Sequence, residues 1–597
     1  MKFKKFLTFV LFALLFNQHQ PAYAQTSMIN VSGRKNINLN GRWEIIVDPF
    51  DVGMENWRAV YKDITPTGKN DFVEYSFDSS SMLKVPGDFN SQLPELTYFE
   101  SSVWYKKTFD YVSEKNERLF IHIGSANYIA DVFLNGKKLG RHEGGFTPFQ
   151  FEITDLVKEK KNSLIIRVNN SRVKNGIPGS LFDWFNYGGI TGDVHLIKTH
   201  KVFIEDYKIQ LDPDARNMIT GYVRLNGELA NQKIEIDIPE LKVGEKLWTD
   251  NDGVAAIHLK RNVRLWTPEH PKLYTTHLSI DNDSIRDEIG FRTIKVSGNQ
   301  ILLNGKPVFL RGVNIHGEIP QRKARACSET DAQVLLNWAK ELGCNFVRLV
   351  HYPHNEHTLH LADEIGLLVW EEIPVYQGIN FADSTTPKKA KQMLQEVINR
   401  DKNRCSVILW SVANETQSSR DRDKTLIDLA KEVKLLDPAR LVTAAFDNVS
   451  YHENKVELKD TVMKYMDVIG INEYLGWYKA WPEEPDKVEW ISDFNKPMII
   501  SEFGGEAMFN NKDGIANTAG SWSEEYMEQI YVKQLRMFNG IPFLQGICPW
   551  ILADFRSPVR MQSKYQKGWN RKGLLSEQGE KKKAWFIMKA YYDLHKN

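Results

Sequence analysis

A chain of 597 residues is too long for a single hydrophobic core, since such cores stop growing near ~250 to 300 residues, so several domains are expected. Its 42% hydrophobic and 26% charged residues exclude global disorder. With 77 Lys and Arg against 76 Asp and Glu, the net charge is +1, which leaves no long-range field for nucleic acid or another polyanion.

At the start of the chain, Lys2, Lys4 and Lys5 precede an apolar run over 6–16, and a polar stretch then ends in Ala22-Tyr23-Ala24. This pattern predicts a Sec signal peptide over 1–24, cut before Gln25, and hence secretion to the periplasm or beyond. The run is shorter than the ~20 residues of a membrane span, and no Cys follows it for lipidation. No membrane anchor is therefore expected after cleavage.

From 25 to 200 short β-branched and aromatic runs alternate with turn residues, as at 119–123, 130–134 and 163–168, and Asn135-Gly136 marks a tight hairpin. A jelly-roll β-sandwich is predicted. The stretch 201–292 alternates as in Lys233-Ile234-Glu235-Ile236-Asp237-Ile238, and its length suits an immunoglobulin-like β-sandwich. Over 293–597 the pattern changes to strands interleaved with helices. Apolar runs recur at 308–313, 346–350, 367–370, 407–412, 441–445, 468–471, 498–500 and 547–552. Amphipathic helices are predicted from Ser328 to Gly343, over about 387–401 and over about 421–436, which together describe a (β/α)8 TIM barrel. Cys327, Cys344, Cys405 and Cys548 show neither close pairing nor metal-ligand spacing. They read as buried thiols, with one disulfide left open.

In such a barrel chemistry collects where the strands end. The fourth run closes in Asn414-Glu415 and the seventh in Glu502-Phe503-Gly504-Gly505, which places two carboxylates at strand ends. Such a pair suits a retaining glycosidase, in which two carboxyls about 5 to 5.5 Å apart protonate the leaving oxygen and attack the anomeric carbon. The acid must hold its proton and the nucleophile must stay ionised, so their environments should push the two pKa values apart. Neither step calls for a metal or a cofactor, and no cluster of His, Cys and Asp has ligand spacing.

The segments Ser411-Val412-Ala413-Asn414-Glu415 and Ile500-Ser501-Glu502-Phe503-Gly504 resemble the two signatures of glycoside hydrolase family 2. Leu39-Asn40-Gly41-Arg42-Trp43, Phe291-Arg292, Asn304-Gly305-Lys306-Pro307, Arg311-Gly312-Val313-Asn314 and Arg348-Leu349-Val350-His351-Tyr352-Pro353 extend the resemblance over nearly the whole mature chain. It implies Glu415 as acid/base, Glu502 as nucleophile, Asn414 on the sugar 2-hydroxyl and Tyr474 as a hydrogen-bond donor to the nucleophile. His351 is read as a substrate contact or a support behind one, and Trp550 as part of the substrate site. Members that cleave β-glucuronides carry Asn-x-Lys after the last strand, which Asn570-Arg571-Lys572 matches; by the same resemblance Asp183 and Tyr478 reach the uronate subsite. A neutral sugar would leave Lys572 unpaired.

Two features depart from the pattern. Gln566 stands where an Arg is found in other members, and the stretch 372–388 is short where some members carry a long loop, which suggests an open site with room for oligosaccharides. The expected partner is a carbohydrate with a terminal uronic acid, and the family's habits leave a homo-oligomer open. Two alternatives stand beside this reading: a β-galactosidase or β-galacturonidase of the same family, and a non-catalytic carbohydrate-binding protein with a decayed barrel.

Overall fold

The computed structural model describes residues 27–596 except 56, 69, 72, 228 and 515–521. The predicted signal peptide lies outside the described residues. None of the described helices is long and apolar enough to cross a membrane.

The first domain is a sandwich of a six-stranded and a four-stranded sheet. Trp43, Tyr105, Ile121, Val132 and Leu164 from both sheets meet in one core. Asn135 and Gly136 both take positive φ, 51° and 79°, and join Ile129–Leu134 to Lys137–Glu143. That is the turn geometry whose twist matches a hairpin, as the dipeptide predicts. The second sandwich pairs a three-stranded with a four-stranded sheet. Along Lys233–Ile238 the isoleucines are buried while Glu235 and Asp237 are exposed, the period-two pattern of a sheet with one wet face.

The barrel strands are β1 (Leu310–Arg311 and Asn314–His316), β2 (Phe346–Val350), β3 (Leu368–Glu372), β4 (Val407–Asn414), β5 (Leu441–Phe446), β6 (Ile469–Asn472), β7 (Met498–Glu502) and β8 (Leu544–Ile547). All neighbours are parallel. The two halves of β1 close the ring, because Arg311 lies beside Ile547 of β8 and Asn314 beside Arg348 of β2. Phe346, Leu368, Trp370, Ile408 and Ile499 pack in one cluster with Trp266 from the preceding domain, so the interior is filled below the mouth. Gly470 makes room there, since a Cβ would fall 2.5 Å from the Trp370 ring.

The three predicted helices appear as α1 (Glu329–Leu342), α3 (Thr386–Asp401) and α4 (Arg420–Leu436), with α2 (Glu356–Ile365) between β2 and β3. Ser328 and Asp331 form the expected capping box, and Gly343 ends α1 at a φ of 99°. Two findings differ from the sequence reading. Short 3-10 turns, Thr461–Tyr465 and Pro485–Lys487, stand where helices would follow β5 and β6. The last apolar run is mostly not strand: β8 ends at Ile547, and Cys548 to Leu552 continue across the mouth, where the Trp550 N–H donates to the Phe503 carbonyl. Apolarity there reflects burial, Trp550 and Ile551 packing with Phe146, Phe182 and Trp184 of the first domain and Cys548 and Leu552 within the barrel, which periodicity does not separate from strand. All four cysteines are free and buried.

The domains are locked together by buried polar contacts. Arg404 Nη2 donates to both oxygens of Asp287 at 2.7 and 2.6 Å, and the Trp266 indole donates to the Asp363 carbonyl at 2.8 Å. The first domain meets the barrel through contacts of its own, with the Arg325 N–H donating to Asp88 at 3.0 Å and Lys389 Nζ to Glu143 at 2.6 Å, and there a first-domain residue, Asp183, takes part in a site at the barrel mouth.

Candidate active site

A cavity of about 610 Å3 opens at the C-terminal ends of the barrel strands. Of the site residues predicted from sequence, Asp183, His351, Glu415, Tyr474, Tyr478, Glu502, Trp550, Asn570 and Lys572 all line it. Asn414 lies just beneath, buried, with its Oδ1 accepting from Arg348 Nη2 at 2.7 Å and from Asn472 Nδ2 at 3.1 Å.

Glu415 follows directly on β4 at a φ of 48°, a left-handed conformation that non-glycine residues adopt at some cost and that turns its carboxyl into the mouth. One oxygen accepts from Asn472 Nδ2 and the other from Gln377 Nε2, both at 2.8 Å. Loss of water raises its pKa, against the pull of those two amides. Glu502 ends β7, with Oε1 accepting from Arg348 Nη1 and Oε2 from the Tyr474 hydroxyl, each at 2.8 Å. The chain turns away through Gly504 at a φ of 125°, where a Cβ would fall 2.5 Å from the Tyr531 hydroxyl.

Burial pushes the Glu502 carboxyl up to about 8, with Arg348 opposing and the neighbouring Glu415 charge adding to the rise. Both carboxyls are therefore raised, whereas the sequence reading expects environments that raise the acid and keep the nucleophile ionised. The reason is geometric. Arg348 divides its charge between Glu502 and Glu372, at 2.8 and 3.1 Å; at Glu372, where His351 and Ser411 add their hydrogen bonds, burial is outweighed and the carboxyl is lowered, whereas at Glu502 burial prevails. Burial and the neighbouring Glu415 charge thus both work against ionisation of Glu502.

Beneath the pair, Arg348 is fully buried and joins β1, β2, β3, β4 and β7 through Asn314, Glu372, Asn414 and Glu502. His351 Nδ1 lies 2.9 Å from Glu372, its Nε2 lies 4.0 Å from Glu502, and Trp550 stacks on its ring at 4.9 Å. Burial drives its pKa down to about 4, so the imidazole is neutral near pH 7. It is thus both a cavity wall and a support for Glu372.

On the far wall the strands Phe555–Arg556 and Trp569–Asn570 pair and carry Asn570 and Lys572 into the cavity, while Arg571 between them turns to Asp554 at 3.2 Å and to Glu577. Lys572 Nζ donates to the Tyr478 hydroxyl at 2.7 Å and to Glu506 Oε1 at 2.8 Å. The expectation that a neutral sugar leaves Lys572 unpaired is therefore corrected. A buried ammonium needs a counterion before any ligand arrives, and Glu506, held down to about 2 by Lys572 and Arg560, is that ion. Asp183 accepts from Asn570 Nδ2 at 3.2 Å, from Arg560 Nη2 at 2.6 Å and from the Ser557 hydroxyl. Gln566 donates to Glu506 at 3.1 Å.

Sequence reasoning did not single out Arg348, Glu372, Asn472, Glu506 or Arg560. A signal existed for Arg348, a charge inside the apolar run of β2. Arg560 sits in an irregular loop with no periodicity to mark it.

A filled parallel barrel, with two raised carboxyls at strand ends and an aromatic and cationic wall around them, defines a glycoside hydrolase. The model of the glycosyl hydrolases family 2 TIM barrel domain matches residues 294–597, that of the glycosyl hydrolase 2 galactose-binding domain-like fold matches 88–179, and that of glycosyl hydrolases family 2 matches 202–292. The chain belongs to glycoside hydrolase family 2. It is 29% identical to the beta-glucuronidase of Paenibacillus borealis over 92% of this chain and 95% of that one. A longer relative from Formosa agariphila is 30% identical over 83% of this chain, which spans only 64% of that protein. Among solved structures, an uncultured Clostridium sp. beta-glucuronidase aligns with a TM-score of 0.81 at 25% identity, over 96% of this chain and all of that one. A GH2 beta-galacturonidase from Eisenbergiella tayi, bound to galacturonate, shares the fold with a TM-score of 0.77 at 23% identity, over 94% of this chain and 98% of that one.

Proposed function

We propose that this enzyme is a retaining exo-β-glucuronidase that releases terminal glucuronic acid from glycan fragments or glucuronides. The observation that carries the reading is one cavity holding two carboxyls, Glu415 and Glu502, opposite a wall of Lys572, Asn570 and Tyr478. The wall supplies donors for a C6 carboxylate, which charge-assisted hydrogen bonds of roughly 1.5 to 3 kcal/mol each would favour over a neutral C6 group.

In the first step Glu502 attacks the anomeric carbon while Glu415 gives its proton to the glycosidic oxygen. The aglycone leaves as an alcohol, and the sugar stays esterified to Glu502. In the second step Glu415 takes a proton from water, the water oxygen attacks the same carbon, and the Glu502 carboxylate departs. Arg348 and the Tyr474 hydroxyl favour the ionised nucleophile through their contacts. Asn414 Nδ2 is buried with no partner among the described residues, which suits a donor reserved for the sugar 2-hydroxyl. The cavity volume, larger than one sugar ring requires, supports an open aglycone side that takes oligosaccharides from polysaccharide breakdown. Residues 1–24 support export through Sec to the periplasm or medium.

The test is hydrolysis of matched chromogenic β-glucuronide, β-galacturonide and β-galactoside, with the first-formed anomer read by proton NMR. The glucuronide should be cleaved fastest and yield β-glucuronic acid first. Initial release of the α-anomer, or faster cleavage of the galactoside, would overturn the reading.

A further inference from the structure

We propose that Arg560 is a specificity-determining residue, the second cation of the uronate pocket, gripping the substrate carboxylate together with Lys572. The proposal rests on the glucuronidase reading of the cavity and goes beyond it. No resemblance assigns Arg560, and the sequence around it carries no motif.

The placement comes from the loop between Phe555–Arg556 and Trp569–Asn570. Its backbone closes on itself at Arg560: the Arg560 N–H donates to the Ser557 carbonyl at 3.0 Å, and the Gly568 N–H donates to the Arg560 carbonyl at 2.8 Å. The stem of the same loop positions Asn570, so Arg560 and Asn570 are held by one local structure.

The guanidinium then reaches the cavity. Nη1 lies 3.1 Å from Glu506 Oε1, the oxygen that also accepts from Lys572 Nζ, and 3.4 Å from the Tyr478 hydroxyl that Lys572 shares. Glu506 thus acts as a template that brings two cations to one point. Nε and Nη2 rest on Asp183 at 3.2 and 2.6 Å, which fixes the plane of the fork.

Their exposures differ in a way that separates their roles. The Lys572 side chain is 1% exposed and that of Arg560 23%, so Lys572 forms the floor of the pocket and Arg560 its rim. Without substrate, the charges of Lys572 and Arg560 are cancelled by Glu506 and Asp183. A uronate adds one negative charge to this balanced set, and a lone ammonium already committed to Glu506 would bind it poorly. A rim guanidinium can keep one face on Asp183 and turn N–H groups to the incoming carboxylate, because its planar fork serves two carboxylates at once. A neutral C6 hydroxymethyl makes no such demand on it.

The experiment compares wild type with Arg560→Gln and Arg560→Lys on 4-nitrophenyl β-D-glucuronide and β-D-glucoside, reading kcat and KM separately together with the thermal midpoint. Arg560→Gln should lower the glucuronide-to-glucoside ratio of kcat/KM at least tenfold, mostly through KM, and Arg560→Lys should recover part of it. An unchanged ratio in Arg560→Gln, or equal losses on both substrates, overturns the proposal and leaves a purely structural tether to Asp183. Should Arg560→Gln not fold, the ratio in Arg560→Lys decides alone: below wild type it supports the proposal, equal to wild type it refutes it. A wild type that shows no preference for the glucuronide defeats the reading of the site itself, whereas a preference that survives Arg560→Gln defeats only the role of Arg560.

Discussion

Replacing Arg348 by Lys separates the electrostatic support of the reaction from the fold that carries it. The guanidinium contacts Glu502 at 2.8 Å, Glu372 at 3.1 Å and Asn414 at 2.7 Å from a fully buried position, and no ammonium can reach all three. Losing the contact to Glu502 removes a charge-assisted bond of roughly 1.5 to 3 kcal/mol, a factor of about 10 to 150 in rate. The bond favours the ionised carboxylate, so its loss makes Glu502 hold its proton more tightly, by one to two pH units at about 1.4 kcal/mol per unit. The acid limb of kcat/KM against pH should therefore move upward in Arg348→Lys, with kcat falling and the circular dichroism of the folded protein retained. Arg348→Met, which strands Glu372 without a counterion, should in addition cost about 3 to 5 kcal/mol of stability. An Arg348→Lys enzyme whose acid limb coincides with that of wild type would refute the idea that Arg348 sets the ionisation of Glu502.

Three further outcomes are expected. Glu502→Gln should lose at least about a thousandfold in turnover, or ~4 kcal/mol in the barrier, measured by single-turnover release of the aglycone. The same variant tests the raised carboxyl through stability. A folded pKa near 8, above the ordinary Glu value, means that wild-type stability is full in acid and is lost as pH rises toward 8. The melting temperature of Glu502→Gln should thus gain on wild type between about pH 5 and pH 9, and a difference constant with pH would contradict the burial argument. Glu415→Ala should harm substrates with poor leaving groups far more than activated aryl ones, and azide should restore turnover while yielding the β-glycosyl azide; lack of rescue would remove Glu415 from the acid/base role. Lys572→Met should cut the preference for glucuronide over glucoside by about 10- to 100-fold and lower stability, since Glu506 then keeps the half-buried Arg560 as its one cation among the described residues, beside the neutral donors Gln566, Trp522 and the Arg571 N–H; a preserved preference would move the carboxylate contact elsewhere.

The barrel and its two glutamates were legible because strands alternate with helices over a long stretch and a polar residue closing a buried apolar run has few reasons to be there. Asn135-Gly136 and the Ser328 cap were legible for a similar reason, each being a local rule with a local cause. What escaped is set by contacts distant in sequence. Arg348 meets Glu502 across 154 positions and Arg560 meets Asp183 across 377, and no periodicity records such pairings. The run at 547–552 reads as strand for the converse reason: burial, partly in the barrel and partly against first-domain aromatics, makes a loop as apolar as a strand.

Glu506 shows most plainly why the chemistry of the wall around Lys572 could not be read from its motif alone. The Asn-x-Lys pattern names a cation but not its resting partner, and a buried cation must have one, since an isolated charge at that depth would cost several kcal/mol. On the proposed reading, selectivity for a uronate then cannot come from an ammonium that a neutral sugar leaves bare, because Glu506 already satisfies it at 2.8 Å. It must come from an exchange, in which the substrate carboxylate gains donors that are satisfied without it. The net gain of such an exchange is smaller than that of pairing a bare charge, and it grows with the number of donors that turn to the ligand without abandoning their first partner. A wall that combines a sealed lysine, an amide, a phenol and a forked guanidinium at the rim meets that requirement.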